Sequence, residues 1–350
     1  MRKLLPVFVV FMLLFTACEK AFLEDELSTD DPFTSFDYLW EQIDLKYSYF
    51  DVKQIDWNEQ KSKYRAQLYS GMSQVELFNI MGNMMKELKD DHANLSSSFN
   101  VSYFGVKYEG ADNFDLRIIE DNYIGRNYYI TGPFIHDFIK QDSIGYVRLS
   151  TFSTSITDAE LNFVLSRYRN TKGLIIDLRE NGGGLISNVF RIMSRFVSSN
   201  TTLYKSRIRN GEQHHEFSNL ESADVVPYEG IKYLNKPIMV LVDRGSYSAS
   251  SFFALSTKAI HNMYLVGDTT GGGLGLPNGG QLPNGWEYRF SVTQAYTVQQ
   301  ANQIEAGKID EVNRENYENG VPPEITATLN RMELTQDEII ERAIQEILAY

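Results

Sequence analysis

The segment GLIIDLRENGGG, residues 173–184, decides how the chain folds. Gly173 to Leu178 is apolar almost without a break, the texture of a strand covered on both faces. Three glycines then turn the chain, and helical spacing resumes to about Phe196. PIMVLV (237–242) is a second strand of the same kind, followed by the turn Asp243 to Ser246 and a helix from Ala249 to Ile260. IGYVRL (144–149) with a helix from Ala159 to Arg169 precedes these units, and YLVG (264–267) follows them. Such alternation predicts an α/β fold, a mixed sheet flanked by helices. Functional loops are then expected beyond the carboxyl ends of the strands.

Upstream, Phe33 to about Lys89 reads as helical, with Phe36, Leu39, Trp40, Ile43 and Tyr47 on one face. Ser73 and Glu76 are spaced as a capping box, opening a helix whose Met81, Met84 and Met85 read as core filling. Residues 95–142 carry short β-like runs, Phe114–Ile119 and Tyr128–Ile130 among them. Residues 270–300 read as a glycine-rich turn and hairpin, and a terminal helix is expected from Thr335–Glu338 to Ala349. The expected organisation is a leader (1–17), a tether (18–32), a helical domain (33–95), a small β cap (96–143) and an α/β core (144–350).

Lys+Arg 33 against Asp+Glu 46 gives a net charge of −13, which argues against a phosphate-backbone partner and so against nucleic acid. That acidity suggests basic or neutral substrates. One cysteine excludes a disulfide framework and a multi-cysteine zinc site. No histidine has metal-ligand spacing with a partner, so no metal and no cofactor is expected. Arg2 and Lys3 before the apolar run Leu4–Phe15 form a targeting segment too short to span a bilayer comfortably. Its end, Leu14-Phe15-Thr16-Ala17-Cys18, resembles a bacterial lipoprotein lipobox. The resemblance implies lipidation of Cys18 and a membrane-anchored protein of the bacterial cell envelope, facing periplasm or cell surface. An ordinary secretory signal with an incidental cysteine is the alternative.

Three segments could carry chemistry. In VDRGSYSASS (242–251) a serine sits between strand and helix, where free N–H groups favour developing negative charge; a Ser-rich N-cap is the bland alternative. Asn181-Gly182-Gly183-Gly184 can point amides into a cleft, yet it lacks the lysine and spacing of a phosphate loop. In LKDDHANL (88–95) a histidine beside two acids suits a general base, or else ends a helix in solvent.

Taken together, GLIIDLRENGGG (173–184), VDRGSYSASS (242–251), GDTTGGGLG (267–275) and GVPPEI (320–325) resemble the core motifs of S41 peptidases, the tail-specific or C-terminal processing protease family. The resemblance spans roughly residues 33–350 and implies a crotonase-like core. It makes Ser248 the nucleophile, with the backbone N–H of Ala249 and Gly183 as oxyanion hole. The lysine base of the processing branch is replaced here by Gly273. The branch resembling the tricorn core protease instead uses a histidine from the helical part, matched by His92, and a glutamate near Gly320, matched by Glu318 with Glu315 as the fallback. Asp91 or its neighbourhood would orient His92, and Ser246 or Ser250 would link Glu318 to the site. Residues 96–143 are too few for the full PDZ domain that many relatives insert.

The reading is a lipid-anchored serine endopeptidase acting on peptides or unfolded protein through an acyl-enzyme. A non-catalytic lipoprotein that binds a peptide or small ligand on the same fold is the competing class, and an esterase would use the same residues. Hydrogen-bond reach between His92 and Ser248 separates catalyst from binder.

Overall fold

A computed structural model describes residues 31–350; the expected leader, lipobox and lipidation site at Cys18 lie outside the described residues. A seven-stranded sheet forms the centre, in the order Ile325–Thr326, Met263–Gly267, Ile238–Val242, Gly173–Asp177, Ile144–Leu149, Phe134–Ile139 and Tyr129–Thr131. The first five run parallel, Phe134–Ile139 runs antiparallel to them and Tyr129–Thr131 pairs antiparallel with it, so the sheet is mixed. Its strands Gly173–Asp177 and Ile238–Val242 are buried at every position. One face packs on the helices Asp158–Tyr168, Ile186–Met193 and Ala249–Thr257. The other is covered by the terminal helix Glu338–Ala349 through Ile339, Ile340, Ala343, Ile344 and Ile347.

Arg179, fully buried, ties that helix to the sheet: it bonds Asp177 at 2.6 Å and Asp337 at 2.8 Å. Asp337 also caps the helix by accepting from the Ile339 and Ile340 N–H groups, so the helix starts at Glu338 and the cap is Asp337.

The N-terminal unit consists of the helices Pro32–Lys46, Phe50–Lys53, Trp57–Arg65 and Gln74–Lys86. The Ser73–Glu76 capping box forms in both directions. Phe36, Leu39, Ile43 and Tyr47 enter its core as the spacing predicts, with Met81, Met84 and Met85. A core of helices alone is not what results. The hairpin strands Pro277–Gln281 and Glu287–Ser291 pair with Asn94–Ser96 and Val101–Ser102 in a four-stranded sheet, and Leu282, Trp286, Tyr288, Phe290 and Val292 complete the same hydrophobic cluster.

Two sequence expectations differ in detail. Residues 114–119 contain a helical turn, Leu116–Ile119, because Asp115 accepts from the Arg117 N–H and starts a helix where the apolar run suggests a strand. Residues 129–139 extend the central sheet by two strands instead of standing apart as a cap. Among the described residues 96–143 hold no inserted PDZ domain. No helix among them is long and apolar enough to cross a membrane.

Candidate active site

Ser248 stands where the buried strand Ile238–Val242 gives way to the helix Ala249–Thr257. Its φ of 56° and ψ of −118° lie where a non-glycine residue costs of order 1–3 kcal/mol. The turn is held from both sides. The Ser248 N–H donates to the Gly272 carbonyl and the Tyr247 N–H to the Asn181 carbonyl, each at 3.0 Å. Gly183 (φ 98°) abuts it so closely that a Cβ there would lie 2.8 Å from that of Ser248.

His92 arrives from the N-terminal unit, just ahead of the strand Asn94–Ser96, and its Nε2 lies 3.0 Å from Ser248 Oγ. The network around it fixes the tautomer. Ser291 has one hydroxyl proton and donates it to Asp90 Oδ2 at 2.8 Å. Facing His92 Nδ1 at 3.5 Å, Ser291 Oγ therefore accepts, which puts the ring proton on Nδ1 and leaves the Nε2 lone pair for the Ser248 proton. Asp90 Oδ1 accepts from the His92 N–H at 2.8 Å and from the Tyr247 hydroxyl at 2.8 Å. Burial works to raise the Asp90 pKa, but Lys53, His92 and the Ser291 and Tyr247 hydroxyls outweigh it and keep the carboxyl below its ordinary range. Burial pushes His92 down to about 4, helped by Arg289 and Lys53 and opposed by Asp90 and the Gly275 carbonyl. The imidazole is neutral at pH 7, as a base must be.

Glu318 stands behind Asp90. Its Oε2 accepts from the Leu274 N–H at 2.8 Å and its Oε1 faces the buried Lys53 ammonium at 3.4 Å. Burial pushes Glu318 up to about 7, against the pull of Lys53. Lys53 also donates to the Lys89 carbonyl at 2.8 Å and so stands as a cation between two buried acids. Glu315 is exposed and caps a different helix.

Several expected roles are placed differently. Asp91 turns away from the imidazole: its Oδ1 accepts from the Gly105 and Val106 N–H groups at 2.5 and 3.2 Å. It therefore shapes the cleft wall, and Asp90, through Ser291, is the acid on the ring side. The Gly183 N–H donates to Asn181 Oδ1 at 2.9 Å, so Gly183 borders Ser248 with its donor already engaged, while the Ala249 N–H has no partner among the described residues. Ser246 and Ser250 do not reach Glu318. Ser246 Oγ donates to the Leu178 carbonyl at 2.8 Å and accepts from the Asp243 N–H at 3.1 Å, bracing the turn. Ser250 Oγ is buried with no partner among the described residues. Ser250→Ala is accordingly expected to leave stability unchanged or slightly raised, and Ser246→Ala to cost about 1–3 kcal/mol by stranding buried groups; chemical denaturation of both variants checks this.

Sequence reasoning missed Lys53, Tyr247 and Ser291: Lys53 and Ser291 stand in no motif it singled out as chemical, and Tyr247, inside VDRGSYSASS, was passed over for the serine beside it. The one available signal was Asp90 two residues before His92, the spacing of an Asx turn. Tyr247 also explains the missing lysine: at Gly273 (φ 71°) a Cβ would fall 2.3 Å from the Tyr247 ring. The site opens onto a cleft of about 740 Å³ bounded by Asp91, Tyr103, Gly183, Phe252, Leu276 and Arg289, among others. Its size suits a stretch of polypeptide. Of the other histidines, His136 is bound between Thr131 and Tyr168, and His214 pairs with Asp44. Among the described residues no group of three His, Cys, Asp or Glu could hold a metal ion.

Known proteins share the sequence pattern and the fold of this chain. Residues 143–312 match the model of peptidase family S41, and residues 31–86 match the tricorn protease C1 domain. The carboxy-terminal processing protease CtpA of Bacillus subtilis is 28% identical over 165 residues, 47% of this chain and 32% of that protein, so the chain spans about a third of that relative's length. A crystal structure of a candidate peptidase from Parabacteroides merdae superposes with a TM-score of 0.83 at 32% identity, covering 91% of this chain and 98% of that one. Mature CPAF shares the fold, with a TM-score of 0.64 at 13% identity over 91% of this chain and 96% of its own. The chain belongs to peptidase family S41, a family of serine peptidases.

Proposed function

We propose that the protein is a serine endopeptidase in which Ser248 is the nucleophile and His92 its general base. The observation that carries this reading is the 3.0 Å contact between His92 Nε2 and Ser248 Oγ, which a binding protein on the same fold has no need to keep. Ser248 Oγ bonds to the scissile carbonyl carbon while its proton passes to Nε2. The tetrahedral oxyanion takes the Ala249 N–H at the helix N-terminus, and the Gly183 N–H once Asn181 yields it. His92 returns the proton to the leaving amine. Water then repeats the cycle on the acyl-enzyme, regenerating Ser248. Asp90 holds the imidazolium through Ser291 and is a positioning residue, with Lys53 balancing it against Glu318.

Extended or unfolded polypeptide is the substrate, and cutting toward a carboxyl terminus is the version that the Bacillus relative's name supports. Lipidation at Cys18 would hold the enzyme to a membrane of the cell envelope, a reading that rests on the sequence of the leader. Incubation with a diverse peptide pool, with new termini mapped by mass spectrometry, tests the activity. Cleavage by wild type and none by Ser248→Ala is expected; cleavage surviving in Ser248→Ala sinks the assignment.

Two pH dependences follow. His92 works only when neutral, so kcat/KM should hold from neutral pH downward and fall as pH drops through about 4. Glu318 has its folded pKa raised to about 7 from 4.5, so its contribution to stability is complete below 4.5 and is lost as pH rises through 7. Glu318→Gln should abolish that loss. Thermal melts of both proteins between pH 4 and 8 check it, and parallel curves would refute the assignment.

A further inference from the structure

We propose that Arg289 makes the cleft selective for substrates carrying an aspartate or glutamate side chain beside the bond that is cut. This deepens the peptidase reading above and rests on it for the meaning of the cut. Arg289 lies on the strand Glu287–Ser291, whose alternation buries Tyr288 and Phe290 in the N-terminal core and leaves Glu287 and Arg289 exposed on the opposite face. Register then places it beside the site, because Arg289 pairs across the sheet with Asn94, two residues beyond His92, and with Gly279.

Neither cross-strand neighbour can neutralise it: Gly279 has no side chain, and Asn94 turns its amide to the Asp91 and His92 carbonyls. Glu287, on the same face, makes no ion pair with it, and the Arg289 guanidinium has no hydrogen bond or ion pair among the described residues. Its companions in the cleft are committed. Lys107 pairs with Glu180 at 3.2 Å, and Arg244 donates to the Thr270 carbonyl at 2.8 Å and faces Glu109 at 3.4 Å. Asp91, the acid of the lining, spends its carboxylate on backbone N–H groups.

An uncommitted cation here works against catalysis, since it opposes the imidazolium that forms at His92 during acylation. A substrate carboxylate on Arg289 removes that opposition and gains charge-assisted hydrogen bonds, bidentate where geometry allows. The local preference is thus opposite to what a net charge of −13 suggests for the whole chain.

The test uses the full chain in detergent and a library of C-terminally amidated peptides, so that only side chains supply carboxylates. At one position near the cut, wild type should prefer Glu over Gln by about tenfold or more in kcat/KM. Arg289→Met should bring that ratio close to one, and Arg289→Glu should turn the preference toward Lys. A Glu/Gln ratio near one at every position, or a preference unchanged in Arg289→Glu, overturns the proposal. Capture of the same library on immobilised Ser248→Ala separates the two hypotheses. Enrichment of acidic peptides that vanishes when Arg289→Met is added supports the subsite even where no Ser248-dependent cleavage occurs. Capture indifferent to Arg289 overturns the subsite even where cleavage is found.

Discussion

Peptide hydrolysis by Ser248→Ala and by His92→Ala is expected to fall at least about 10³-fold in kcat/KM, and the double variant to fall no further. In the proposed mechanism the two groups act on one proton: without Nε2 the hydroxyl keeps it, and without Oγ the base has nothing to take. Their 3.0 Å contact makes them a unit, and effects within a unit do not add. Stopped assays on purified single and double variants, each shown folded by circular dichroism, measure the effect. An additive double variant would mean that His92 serves binding or folding and that Ser248 has another base. Residual rates should reflect the helix N-terminus and cleft alone.

Restoring a lysine at position 273 is expected to cripple the enzyme, although it recreates the base of the processing branch. Gly273 has φ 71°, and its first side-chain carbon would fall 2.3 Å from the Tyr247 ring and 2.7 Å from its hydroxyl. Tyr247 cannot move away freely, because its hydroxyl is the donor that anchors Asp90 and its backbone N–H holds the nucleophile turn. Left-handed strain and overpacking together cost about 2–4 kcal/mol, a drop of several degrees in Tm. The displaced ring should also remove most activity. Gly273→Ala isolates the steric part and should show much of the same loss. A fully active, equally stable Gly273→Lys variant would refute this account, and with it the view that Tyr247 takes the space of the missing base.

Much of the fold was legible in the chain because short, β-branched apolar runs such as Ile238–Val242, bounded by turn residues, favour strands covered on both faces, and glycine clusters mark where they stop. Ser248 was legible because the strand-to-helix turn is local, and His92 because a sequence resemblance carried it. The network linking them was not. Ser291 meets His92 across 199 residues of sequence, and Lys53 sits on a four-residue helix that no periodicity reveals. Which of two neighbouring acids faces the imidazole is likewise a matter of turn geometry. Asp90 closes an Asx turn toward His92 and Asp91 points to Gly105, a distinction that composition does not contain.

The core shared between the N-terminal helices and the hairpin at 277–292 has a consequence for how the enzyme comes into being. As the chain leaves the ribosome, His92 emerges early, but Leu282, Trp286, Tyr288, Phe290 and Val292, which finish its hydrophobic cluster, come almost two hundred residues later. Until they arrive, His92 has no rigid seat and Ser248 no partner. The 3.0 Å contact between His92 and Ser248 therefore waits on the hairpin, and chains that stop before residue 277 are expected to lack it.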